Sequence, residues 1–122
     1  MVIVKSYGLW KKPLNDLLTP VKAFDFIEEK KLEQPLLIGF GQGGYAMFRQ
    51  SDRAGNPIHT VPIDGRTNVV PHKVWDAFMA AHRGDNNWRD YFDLVKPSTV
   101  LWRSDSSLTS ILLLDPEWCE VF

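Results

Sequence analysis

The sequence predicts an α+β fold, a mainly antiparallel sheet of about five strands built from hairpins with two or three helices packed on it. Three observations carry that expectation. Apolar residues recur at helical spacing in two stretches, one after Pro20 and one after Pro71. Short apolar segments elsewhere are separated by dense turn signals, as hairpins require. No internal repeat, low-complexity tract or long linker divides the chain, so residues 1–122 read as one domain.

The first helix follows from Thr19-Pro20, a capping residue and a first-turn proline, after which Val21, Phe24 and Ile27 share a face until Pro35 forbids continuation. Leu36 to Phe40 and Tyr45 to Gln50 are expected as strands joined by a glycine turn. In the second, Tyr45, Met47 and Arg49 alternate with Ala46, Phe48 and Gln50. The turn signal Ser51-Asp-Arg-Ala-Gly-Asn-Pro57 then leads into an antiparallel partner at Ile58 to Ile63. The next helix begins near Pro71, places Val74, Trp75, Phe78, Ala81 and His82 on one side, and ends at Gly84. A shorter helical turn spans Trp88 to Leu94 and stops before Pro97. A second hairpin is read at Val100 to Arg103 and Leu108 to Leu114 around Asp105-Ser-Ser, and Asp115-Pro-Glu opens a short terminal helix carrying Trp118, Val121 and Phe122.

Gly39, Gly41 and Gly44 fall in the G-x-G-x-x-G spacing that holds a pyrophosphate in dinucleotide-binding folds, and Asp64 stands about 20 residues on, where such folds place an acid. That motif requires a helix after the last glycine. The turn signal at Ser51 leaves only Tyr45 to Gln50 for it, so the glycines read as turn residues with positive φ. A nucleotide binder at the Gly39 to Gly44 loop is accordingly the third functional reading, and no cofactor is expected.

Net charge is −1, with 14 Lys plus Arg against 15 Asp plus Glu, which gives the whole molecule no electrostatic pull toward nucleic acid or anionic membrane. From Ser104 onward the chain carries Asp105, Asp115, Glu117 and Glu120 and no Lys or Arg, a small acidic face. The single Cys119 excludes an internal disulfide, the N-terminal Met-Val-Ile-Val-Lys lacks the apolar core of a signal peptide, and no apolar run reaches a membrane span. The expectation is a soluble, unprocessed cytoplasmic protein.

His59, His72 and His82 show none of the close-spaced ligand pairs of common metal sites, so no metal is assigned. Ile63-Asp-Gly-Arg-Thr-Asn68 is a polar loop leaving a strand, where Asp64 would serve as base or ligand and Arg66 as an anion clamp. His59, Asp64, Arg66 and His72 therefore make the alternative, catalytic reading of a small hydrolase or nuclease. Ser104, Ser106 and Ser107 lack the G-x-S-x-G setting of a nucleophile elbow. Five Trp among 15 aromatic residues are the remaining signal, and Arg83, Trp88, Arg89 and Tyr91 cluster in one stretch. Aromatic residues and Arg anchor protein interfaces, and Trp88 follows the wholly polar Asp85-Asn-Asn87. The leading expectation is a protein-interaction module of inhibitor, immunity, antitoxin or accessory-subunit type, binding a protein partner through Trp88, Arg89, Arg83 and Tyr91.

Overall fold

The computed structural model describes residues 19–59, 61, 63 and 70–122. Among them are five α-helices, α1 (Val21–Glu29), α2 (Gly43–Arg49), α3 (His72–Arg83), α4 (Arg89–Val95) and α5 (Ser107–Leu114), and two strands, β1 (Leu36–Ile38) and β2 (Thr99–Leu101). The strands pair in parallel, with Leu36, Leu37 and Ile38 opposite Thr99, Val100 and Leu101. The predicted five-stranded antiparallel sheet is thus replaced by a helix-rich fold around a two-stranded parallel sheet.

The pleat of β1 explains how so small a sheet organises the molecule. Leu36 and Ile38 pack with Phe24 and Ile27 of α1 and Ala46 of α2. Leu37 points the other way, into a cluster with Ala77, Phe78 and Ala81 of α3, Tyr91 and Phe92 of α4, and Leu108 and Leu112 of α5. β2 follows the same alternation, Leu101 joining the first cluster and Val100 the second. Successive side chains leave a strand on opposite faces, so the sheet is covered on both sides, the setting usual for parallel strands.

Several helices arise where the pattern placed them. α1 starts directly after Pro20, α3 ends at Gly84 in the left-handed region (φ 71°), and α4 ends at Lys96 just before Pro97. Two predicted hairpins fail. Residues 45–49 belong to α2 and Gln50 caps it, and the buried Gly43, Ala46 and Gln50 recur at three- and four-residue spacing. Arg49 adds a tertiary reason: its guanidinium bonds to Tyr45 one turn back at 2.9 Å, to Glu28 at 2.6 and 2.9 Å and to Asp25 at 2.8 Å, tying α2 to α1. Chiefly through the Glu28 hydrogen bond, these contacts hold Arg49 above its ordinary pKa.

The Ser51 to Pro57 turn does form, closed by the Asp52 carboxylate on the amides of Ala54 and Asn56 and by one isolated antiparallel bridge, Ser51 to Pro57. Beyond it Ile58, His59, Val61 and Ile63 make no strand; Thr60 and Pro62 lie outside the described residues. The second hairpin gives way to α5. Ser106 is its cap rather than a turn residue, accepting from the Thr109 amide at 3.1 Å. Leu108 and Leu112, four apart, enter the core, while Leu113 and Leu114 face out. The predicted terminal helix reduces to one turn in which Asp115 accepts from the Glu117 amide at 2.9 Å. No described helix is long and apolar enough to cross a membrane.

Candidate functional site

β1 and β2 run side by side, and both deliver the chain to the same place. After Ile38 come Gly39, Phe40, Gly41 and Gln42; after Leu101 come Trp102 and Arg103. These residues and Trp75, Phe78, Met79 and His82 of α3 line a cleft of about 380 Å³. In open α/β structures ligands bind outside the carboxyl ends of parallel strands, because the loops there converge while the sheet holds them fixed.

The floor is Phe78, only 1% exposed, which contacts Trp75 (ring centroids 5.5 Å apart), Tyr91 (5.6 Å), His82 (5.8 Å, nearly stacked), Trp102 (6.0 Å) and Phe40 (6.3 Å). Phe40 meets Trp75 edge-on at 5.4 Å on one side, and His82 meets Trp102 at 6.2 Å on the other. Each of these aromatics is fixed by another, so the walls are set before any ligand arrives. At the rim, Arg103 donates from Nε and Nη2 to the two carboxylate oxygens of Asp105 at 3.0 and 2.8 Å. That pairing holds the exposed Asp105 carboxyl below its ordinary pKa and raises that of Arg103. No described residue hydrogen-bonds the ring nitrogens of His82.

The glycines have an unexpected role. Gly39 is extended (φ −68°, ψ 150°), and among the described residues positive φ occurs in glycine only at Gly55 and Gly84, so the loop does not use glycine for its backbone freedom. Nor is packing the reason: a Cβ placed on Gly39, Gly41 or Gly44 meets no atom within 4 Å. The strand, glycine loop and helix of a nucleotide motif are all present in order, but α2 has seven residues and Asp64 lies outside the described residues.

The other candidates are dispersed. Trp88 is 8% exposed, edge-on to Phe92 at 5.0 Å, and Tyr91 is 0% exposed. Burial pushes the Tyr91 hydroxyl above its ordinary pKa, and no described residue hydrogen-bonds it. Arg89 covers the face of Trp88 at 4.5 Å and pairs with the buried Asp115, while Arg83 pairs with Asp85 at 2.9 Å. Trp88, Arg89, Arg83 and Tyr91 thus present two arginines engaged with different acids and two core rings. His59 and His72 are exposed, His72 at the first position of α3; Asp64 and Arg66 lie outside the described residues. Among the described residues no three His, Cys, Asp or Glu side chains are grouped to hold a metal ion.

A shallower depression of about 570 Å³ runs along Met47, Phe48, Ser51, Asp52, Arg53 and Gly55. Its one acid, Asp52, is occupied by its own loop, so it offers less chemistry than the aromatic cleft. No protein-family model, curated protein or solved structure matches this sequence.

Proposed function

We propose that the protein binds a small organic ligand with a flat ring in the cleft between the Gly39 to Gln42 loop, α3 and the Trp102-Arg103 corner. The observation that carries this reading is the convergence of both parallel strand ends on one aromatic-walled cleft of about 380 Å³. That volume lies in the range of ligand and cofactor sites, whose usual lining is apolar and aromatic with few polar groups. The side-chain-free surface at Gly39 and Gly41 supports it, since it leaves room for a ring to lie against the backbone. The test is a titration of ¹⁵N-indole-labelled protein with a library of flat-ring compounds. Binding that shifts the Trp75 and Trp102 indole N–H resonances and leaves Trp88 in place is the expected result. A library in which nothing moves either indole would overturn the reading.

A second reading, a module that binds a protein partner, is favoured by a different observation: Phe48 is 74% exposed and Leu114 87%, large apolar side chains left in water. Its test is capture from the native host with the wild-type chain and with Phe48→Ser and Leu114→Ser. A stoichiometric partner retained by the wild type and lost by a folded variant supports this reading; equal capture by all three sinks it.

A further inference from the structure

The cleft's charges are unbalanced in a way that narrows its ligand. None of its ten lining residues is an acid, and its ionisable side chains are Arg103 and His82. An aromatic box lined by a carboxylate would suit a cation; the fixed charge lining this one is the Arg103 guanidinium. The Arg103 fork is already filled, but by a partner from the same short turn. Asp105 is two residues away, and the two side chains are 73% and 67% exposed. Such a pair is weak in water, where solvent screens it, and a forked guanidinium donates equally well to two oxygens of another carboxylate or of a phosphate. The turn that carries it is anchored independently, since the Arg103 carbonyl accepts from the Thr109 hydroxyl at 2.6 Å and the Ser106 amide at 3.3 Å. Arg103 can therefore exchange partners without moving its backbone.

Resting on the cleft reading above, we propose that the ligand carries an acidic group, carboxylate or phosphate, that pairs with Arg103 in place of Asp105. Asp105 is then a competitor built into the chain. It occupies the guanidinium when the cleft is empty and lowers the net gain an acidic group obtains there, while a neutral ring neither meets that competition nor gains from the guanidinium. His82, at the same rim with its ring nitrogens unengaged by described residues, supplies a second donor to the acid.

The experiment compares matched neutral and acidic rings by calorimetry: adenosine with adenosine monophosphate, and 1-naphthalenemethanol with 1-naphthoate. In the wild type the acidic member of at least one pair binds about tenfold tighter than the neutral one, the gain typical of one charge-assisted fork. Which pair responds separates a nucleotide phosphate from an aromatic carboxylate. Asp105→Asn tightens the acidic member several-fold and leaves the neutral one unchanged, and Arg103→Gln abolishes the preference. Equal binding of neutral and acidic members overturns the proposal and leaves the ring cleft standing, as does an Asp105→Asn protein that binds the acid no better than wild type. Failure of all four compounds to bind overturns the cleft reading and this inference with it.

Discussion

Trp88 shows how a single side chain decides between roles that its sequence neighbours cannot separate. It follows the polar Asp85-Asn-Asn87, where the chain has just left α3, and a surface indole is the natural expectation. The loop instead turns back at once: the Asp85 amide bonds to the Ala80 carbonyl at 2.9 Å and the Trp88 amide to the Asp85 carbonyl at 3.0 Å. The indole lands edge-on against Phe92, with the Arg89 guanidinium over its other side. Arg89 in turn reaches Asp115, a carboxylate buried at the end of α5, so the ring sits under a strap joining α4 to the C-terminal segment. Trp88→Ala is therefore expected to cost about 3 to 5 kcal/mol of stability, the range for emptying a large aromatic site in a core. Chemical denaturation measures it; a loss under 1 kcal/mol would mean that the indole contributes little to the packing around Phe92.

At the scale of elements, two glycines make opposite predictions. Gly84 is needed: it closes α3 at φ 71°, and a Cβ there would lie 2.8 Å from the Ser107 Cβ and 3.1 Å from the Ile111 Cδ1 of α5. Gly84→Ala should cost about 2 kcal/mol or more, from left-handed strain and the forced separation of α3 and α5. Gly41 has neither constraint, so Gly41→Ala should be neutral or stabilising by up to about 1 kcal/mol while weakening ring binding in the cleft. Thermal melts of both variants decide this, and a destabilised Gly41→Ala would show that the fold, not a ligand, requires the glycine. The same elements show what the sequence makes legible. α1, α3 and α4 carry their own punctuation in Pro20, Gly84 and Pro97, and each appears in place. α2 does not, because Tyr45 to Gln50 satisfies a two-residue period as well as a helical one, and the choice is made by Arg49 reaching residues more than twenty positions away. α5 was hidden by Ser106, equally a turn residue and a helix cap. The cleft is half legible: the glycine spacing marks one wall, but Trp75, Phe78 and His82 show only as one side of a helix and Trp102 as part of a short strand, since only the pairing of β1 with β2 brings them together.

For the molecule as a whole, the consequence of a three-residue parallel pairing is that very little backbone joins two apolar clusters. Leu36 and Ile38 belong to the cluster under α1 and α2, and Leu37, between them, belongs to the cluster under α3, α4 and α5. The strands that meet here are more than sixty residues apart, and Thr99 adds a clasp by donating its hydroxyl to the Glu33 carbonyl at 2.6 Å. The paired strands couple the two clusters, because a strand whose neighbouring residues anchor opposite faces cannot release one face and keep its register on the other. Leu37 is 0% exposed, so Leu37→Ala should cost about 2 to 5 kcal/mol, a large share of the stability of a domain this size. Under conditions where exchange reports global opening, the variant should lose amide protection equally in α3 to α5, which Leu37 touches, and in α1 and α2, which it does not. Hydrogen exchange with residue resolution makes the comparison. Loss of protection confined to α3, α4 and α5 would show two halves that unfold separately, and the cleft, built from the strand ends that both halves share, would then be the first structure lost when either half opens.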